Sequence, residues 1–444
     1  MSQKGTPPDA VIIGAGFCGL TAAYELVKRG FRVTILEQEA DIGGLAGSFP
    51  VNGARLEKFY HHWFTNDRHV VELINELGAG DEILLRSTRT GMFFANNMLR
   101  LSSPIDVLRF KPLPPIDRLR LGLLALRVQR LRNWATLETM SASTWLRQMA
   151  GDKVYEVVWE PLLRGKFGAY AEEISAVWFW NKLKLRGGSR GTGGGEQLAY
   201  FRGGFSALAD RLAAQIRECG GDIHTGATVT GLAVTQGRCH GVIANGELIP
   251  ASTVVATPAL PIVADLVAPH VTTDYVHRLR RIKYLANLCL VLELDRSLST
   301  TYWLNVNDPE FPFVGVIEHT NLEPSSTYGG RHIVYVSRYL PETDQYYQLS
   351  DDKVLNYALP HLGKMFPKLE RCWVKDYHVW RARYSQPVVE RFYSDLVPSS
   401  STPVSGLYLA SMAQVYPEDR GTNYAVREGK RVAALVCDDL AKDA

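Results

Sequence analysis

Apolar runs and glycines alternate most sharply in the first forty residues. AVII (10–13) is a short apolar run of strand type that leads directly into Gly14, Gly16 and Gly19. A helix is predicted from about Leu20 to Arg29 with Gly30 as its stop, then a second strand, RVTIL (32–36), ending at Glu37. Leu208, Leu212 and Ile216 recur every fourth residue, which puts them on one face of a helix within FRGGFSALADRLAAQI (201–216). NLCLVLEL (287–294) and RHIVYVS (331–337) read as strands of a further sheet. GLYLASMAQVYPEDRGTNYAVREGKRVA (406–433) reads as strand, loop and helix. The glycine-rich GGSRGTGGGEQ (187–197) has no strand leading into it, so it reads as a flexible loop and not a second nucleotide site.

The spacing of the early glycines has a physical reason. Gly14 permits a tight turn, Gly16 lets the backbone approach a pyrophosphate, and Gly19 lets helix and strand pack closely. Ala15 and Phe17 complete the loop, and the free N–H groups and dipole of the helix start favour an anion there. Glu37, followed by Gln38, stands about twenty residues beyond the first glycine, where a carboxylate accepts hydrogen bonds from a ribose hydroxyl pair. The frame points to a dinucleotide. Directly after it, QEADIGGLAGSF carries a second small-residue turn of Gly43, Gly44, Leu45 and Ala46, for which an NAD domain has no particular need.

Composition adds limits. With 444 residues, 46% of them hydrophobic, the chain can build two or three cores, and a net charge of +3 gives no reason to invoke nucleic acid. Six cysteines lie far apart with no C-x-x-C, which argues against a zinc site or disulfide framework and fits a reducing compartment. The N-terminus lacks an apolar signal region, and LGLLAL (121–126) is too short to span a bilayer, so a cytoplasmic location is expected. Residues 103–134 are unusual: seven basic side chains face only Asp106 and Asp117, and leucines interleave with arginines from Ile116 to Leu131. Such a helix suits either a membrane interface, at the inner face of the membrane, or a solvated basic surface.

The second glycine turn resembles that of the large FAD family containing monoamine oxidases, protoporphyrinogen oxidases, phytoene desaturases and UDP-galactopyranose mutases, where it lies along the flavin end of FAD. Other stretches resemble the same family in order. EPLLRGKFGAYAEEISAVWFW (160–180) is similar to a proline-led turn before a helix start. FRGGFSALADRLAAQI is similar to the helix that returns the chain to the FAD domain. GGDIHTGATVTGLAV (220–234) is similar to a strand pair in which Val229 would contact adenine, and STVVATPAL (252–260) to the strand that closes this nucleotide-binding segment. HVWRARYSQP (378–387) resembles the approach to the last segment, in which Gly421, Thr422 and Asn423 would meet the flavin and pyrophosphate. The resemblance implies an α/β fold: a Rossmann-type, glutathione-reductase-like FAD-binding domain from 8–65, 200–275 and 385–440, with an inserted α+β substrate domain from 66–199 and 276–384. No separate NADPH fingerprint is present.

Within that frame EKFYHHWFTN (57–66) would lie beside the isoalloxazine ring. It resembles a mutase segment in which His62 matches the first histidine, although Tyr60-His61 replaces Gly-Pro and Phe64 replaces a later histidine. Either it is a packed strand end, or His62 or His61 donates to the flavin or shuttles protons, with Trp63 and Phe64 excluding water. Arg420 would support the pyrophosphate or flavin edge, Arg164 and Lys166 an anionic group of the substrate, and Tyr284, Tyr335 and Trp380 would line its cavity. YPEDRGTN contains no cysteine, so FAD would be held non-covalently, and no metal is expected. The implied activity is an FAD-dependent oxidoreductase (oxidase, dehydrogenase or desaturase) taking a hydride from an apolar or amine-type substrate to flavin N5. The rival is a redox-neutral enzyme similar to the mutase, acting on a sugar nucleotide or lipid-linked sugar. Expected partners are a small-molecule or lipid-linked substrate and, on the interfacial reading, a membrane met peripherally through 103–134.

Overall fold

The computed structural model describes residues 9–100, 104–188 and 196–443. Five strands distant in sequence form one parallel sheet, in the order Asp222–His224, Arg32–Leu36, Asp9–Ile13, Thr253–Ala256, Leu407–Leu409. Ile12 sits between Ile35 and Val255 in register. Such a sheet is covered on both faces, which is why AVII and TVVA are buried almost throughout and do not alternate apolar with exposed polar positions. The helices Phe17–Val27, Gly204–Glu218 and Thr422–Asp443 pack on it, and Leu208, Leu212 and Ile216 are all buried as their spacing predicts.

A second, mixed sheet of seven strands runs Val374–Pro387, Tyr284–Leu294, His332–Leu340, Gly315–Glu318, Trp303–Val306, Thr90–Phe94, Asn97–Arg100. Only Trp303–Val306 with Thr90–Phe94 is a parallel pair. The two strands expected around 287–294 and 331–337 are antiparallel neighbours, second and third in that order. Helices between 104 and 188 form a third body whose buried side chains, among them Leu163, Phe167 and Trp178, share a core with Val11 and Ile13 of the parallel sheet. The result is a mixed α/β fold. Among the described residues no helix is long and apolar enough to cross a membrane. All six cysteines are free thiols.

Several local expectations need correction. The first helix begins at Phe17, since Gly16, without a side chain, serves as its N-cap, and it ends at Val27. Asp222–His224 and Val229–Thr235 are not partners: the first extends the parallel sheet, the second starts a three-stranded antiparallel one. SFPVNGARLEKF forms a hairpin, because Asn52 and Gly53 take φ values of 46° and 85° and turn the chain back. Glu160–Phe167 is a helix with Pro161 in its first turn, where proline is tolerated, and not a bare turn. The basic stretch is two helices, Pro104–Arg109 and Pro115–Arg130, separated at Pro112 and Pro114. The helix Ala176–Gly188 enters GGSRGTGGGEQ, and most of that loop lies outside the described residues.

Candidate functional site

The two glycine turns lie on each other. Gly43 donates its N–H to the Ala15 carbonyl at 2.8 Å, and Gly16 pairs with Gly43 across an isolated bridge. A Cβ on Gly44 would come within 3.1 Å of the Gly16 Cα. Gly14 and Gly43 have φ of +99° and +110°, which side-chain-bearing residues avoid, and a Cβ on Gly19 would fall 2.0 Å from the Gly14 carbonyl oxygen. Beyond Gly44, Leu45 and buried Ala46 form a single 3₁₀ turn. Phe17 is buried with its ring edge-on to Phe205 at 6.4 Å.

Glu37 is buried at the end of its strand and accepts the Ala15 N–H at 2.7 Å and the Glu39 N–H at 3.0 Å. Its own carbonyl accepts from Ala227, two residues before half-buried Val229, while Gln38 points to solvent. On the other side the C-terminal helix packs so closely on the first that a Cβ on Gly429 would lie 2.5 Å from the Cys18 carbonyl oxygen. That places Gly421, Thr422 and Asn423 at a helix N-terminus beside the first helix. Asn423 caps a third helix, its Oδ1 accepting the Val70 N–H at 3.1 Å. Around Gly421 a Cβ would meet nothing within 4 Å, and around Gly16 only Gly44 at 3.9 Å. Two stacked glycine turns, an open helix start and a carboxylate at the next strand end fit a dinucleotide cofactor.

The rings of EKFYHHWFTN divide between buried and half-buried positions. Trp63 is buried 4.3 Å from Phe205, ring to ring, and belongs to the core. Half-buried Phe64 is held by its N–H to Asp67 at 2.9 Å. His62 Nδ1 shares a hydrogen bond of 3.0 Å with the Tyr302 hydroxyl and meets Trp303 edge-on. His61 Nδ1 lies 2.6 Å from the Phe59 carbonyl, which only accepts, so Nδ1 carries the proton. Burial pulls the His61 pKa down to about 4 against that bond, and the nearby Arg420 charge pulls the same way. At neutral pH the ring is therefore uncharged and its Nε2 is an acceptor. Arg420 donates to Tyr339 at 2.9 Å, and the Tyr339 hydroxyl lies 3.4 Å from that of Tyr60. Tyr60, His61, Tyr339 and Arg420 thus form one polar wall.

The remaining candidates scatter. Arg164 and Lys166 are two positions apart on a helix and point different ways. Arg164 is exposed and paired with Glu160 at 2.7 Å, whereas Lys166 reaches Asp419 at 3.3 Å. Tyr284 accepts the Leu260 N–H at 3.3 Å. Tyr335 is fully buried and donates to the Glu57 carbonyl at 2.7 Å. Trp380 is half-buried with Lys58 over its ring at 4.9 Å. Sequence reasoning missed Lys182, Asp419, Gln386 and Tyr339 around Lys166 and Arg420. Asp419 was within reach, as the neighbour of Arg420 in YPEDRGTN; Lys182 left no local signal. It also passed over Glu57, a buried carboxylate accepting from Tyr200 and from the Phe205 N–H at 2.7 Å.

Comparison with known proteins agrees with this geometry. The family described as flavin containing amine oxidoreductase matches residues 17–437. The zeta-carotene desaturase of Arabidopsis thaliana is 22% identical over 98% of this chain and 86% of its own length. Among solved structures, a putative protoporphyrinogen oxidase from Exiguobacterium sp. 255-15 superposes with a TM-score of 0.76 at 17% identity, covering 97% of this chain and 99% of that one. Reduced UDP-galactopyranose mutase superposes equally well, at 0.76 and 14% identity over 98% and 94% of the two chains, and shares the fold. With its glycine cradle, its C-terminal helix start and a match over nearly its whole length, the chain belongs to the flavin containing amine oxidoreductase family and is a flavin-dependent oxidoreductase.

Proposed function

We propose that the chain binds FAD non-covalently and oxidises a C–N or C–C bond of a bulky apolar substrate collected from an anionic membrane surface. On this reading 8–65, 200–275 and 385–440 make a Rossmann-type FAD domain, and 66–199 with 276–384 a substrate domain. FAD, when bound, supplies a hydride acceptor at N5 and a route for electrons to oxygen or a quinone. Glu37 would hold the ribose, the Gly14–Gly19 turn the pyrophosphate, and Gly421 to Asn423 the flavin end. The neutral His61 ring offers Nε2 to hold a hydrogen-bonding proton at the cleft wall, and Trp63 and Phe205 keep water from behind it.

One observation carries the membrane element. Along Pro115–Arg130, Ile116, Leu119, Leu123 and Leu126 are 57%, 57%, 39% and 58% exposed, while Leu121, Leu124 and Val128 pack inward. The helix is apolar on two faces, and only one faces the core. Ile105 and Leu108 of the preceding helix are exposed as well, and that helix is tied on by Arg118 to the Leu108 carbonyl at 2.8 Å. Arg109, Lys111, Arg118, Arg120, Arg127 and Arg130 accompany this patch. Apolar side chains flanked by arginines suit the headgroup boundary of an anionic bilayer.

The test is anaerobic absorbance titration of the purified holoenzyme with membrane lipid extract and, separately, polar metabolite extract. Loss of the oxidised-flavin band with the lipid fraction is the expected result. Bleaching by the polar fraction alone moves the substrate to a soluble amine or sugar. Failure of both, with turnover of a sugar nucleotide by dithionite-reduced enzyme, replaces the reading with the redox-neutral one.

A further inference from the structure

Lys166, Lys182 and Arg420 converge from three elements: the helix Glu160–Phe167, the helix Ala176–Gly188 and the loop before the C-terminal helix. The buried carboxylate of Asp419 pairs with the two lysines, and buried Asp67, whose pKa burial raises to about 6, also feels the Lys182 charge. Asp419 Oδ2 lies 2.7 Å from Lys182 Nζ and 3.3 Å from Lys166 Nζ, and Oδ1 accepts from Gln386 at 3.0 Å. Both carboxylate oxygens are therefore engaged. Arg420 is left with the Tyr339 hydroxyl, and its buried Nε has no hydrogen-bond partner among the described residues. Among the described residues, three cations face two carboxylates, Asp419 and, beside Lys182, Asp67, which leaves one positive charge unmatched in a partly desolvated place, where charge repulsion is costly.

The surroundings deepen that imbalance. Lys166 Nζ lies 4.7 Å from the Trp178 ring centroid and 5.5 Å from that of Tyr339, so aromatic faces replace much of its water. Burial brings the Lys166 pKa down to about 7; Asp419 opposes this, and Lys182 and Arg420 add to it. An oxyanion placed among the three cations would restore their balance and give Arg420 Nε its acceptor.

We infer that Lys166, Lys182 and Arg420 form an anion subsite that holds a carboxylate or phosphate of the substrate, with Asp419 positioning the two lysines when it is vacant. The inference rests on the flavin-dependent reading above and narrows it: the substrate is an anionic amphiphile, its acid end here and its apolar body toward the cleft. The site adjoins the proposed flavin end through Arg420, next to Gly421, while its lysines come from the helical body between 104 and 188 and not from the glycine turns.

Isothermal calorimetry on the yellow holoenzyme at pH 6.5 tests it, with dodecanoate, dodecanol and inorganic phosphate as probes and flavin content read by absorbance. Saturable binding of dodecanoate, none of dodecanol, and a loss of about ten-fold in dodecanoate affinity in both Lys166→Gln and Lys182→Gln at unchanged flavin content are expected. Dodecanoate binding should also weaken between pH 6 and 9. Phosphate binding that the same substitutions weaken shows that the charge alone suffices; phosphate silence with dodecanoate binding shows that the apolar tail is also needed. Either upholds the subsite. Equal affinity for dodecanoate and dodecanol, no binding of dodecanoate, or substitutions that shed flavin without altering dodecanoate affinity would overturn it. A colourless protein that still binds dodecanoate through these lysines would sink the flavin reading and leave the subsite standing.

Discussion

Gly43 donates its N–H to the carbonyl of Ala15 at 2.8 Å, so a turn that follows the second strand is fastened directly onto the turn that precedes the first helix. Beside the bond, Gly44 and Gly16 approach so closely that a Cβ on Gly44 would lie 3.1 Å from the Gly16 Cα. The turn also takes φ of +110° at Gly43. The double turn proposed to cradle the cofactor is therefore one unit, and its parts should fail together.

Gly43→Ala is expected to cost about 1–3 kcal/mol from the left-handed backbone alone, and to lower bound flavin per chain. Gly19→Ala should be worse, because its Cβ would meet the Gly14 carbonyl oxygen at 2.0 Å. The check is the ratio of flavin to protein absorbance beside a urea midpoint. A fully flavinated Gly19→Ala protein would contradict the close packing.

Glu37 holds the turn through Ala15 at 2.7 Å and stands where a ribose would be read. Glu37→Ala removes a charged acceptor, worth about 1.5–3 kcal/mol, so the FAD dissociation constant should rise by roughly ten-fold to a hundred-fold. Fluorescence of released flavin on dilution measures it.

His319 is buried against Tyr328 at 2.8 Å, and burial pulls its pKa down to about 3. The unfolded chain takes up this proton near the ordinary value of about 6.5, whereas the folded chain refuses it until about pH 3. Its effect on stability is nil above pH 6.5 and grows unfavourable as pH falls, to roughly 2 kcal/mol at pH 5. Urea midpoints of wild type and His319→Phe at pH 7 and pH 5 isolate that slope: the substituted protein should lose less on acidification.

Leu119 and Leu123 point outward on the Pro115–Arg130 helix. Replacing both by glutamate should leave flavin content and melting temperature within the small range of surface changes, yet abolish co-sedimentation with phosphatidylserine vesicles. Raising salt should weaken wild-type binding, since headgroup attraction is screened. Equal sedimentation of wild type and variant would remove the membrane from the proposed function.

What the sequence determined by itself is local. The Gly14, Gly16 and Gly19 turn and the strands on either side of its helix follow from steric limits and periodicities within a few residues. They were legible without a neighbour in view. Tertiary structure decided the rest. Lys166 and Asp419 are 253 residues apart in the chain, so their pairing is unreadable from either stretch. Asp222–His224 and Val229–Thr235 look like a hairpin locally, but the free edge of the Arg32–Leu36 strand takes the first away. The helix at 115–130 has two apolar stripes in sequence, and only packing against the other helices shows that Leu121, Leu124 and Val128 face the core. EKFYHHWFTN depended on both. Its aromatic content was plain, but whether each ring met core or cleft waited on Phe205, Tyr302 and Arg420, which arrive from far along the chain. A side chain's environment is set by whatever fills the space beside it, and that space is assigned only when the whole chain has folded.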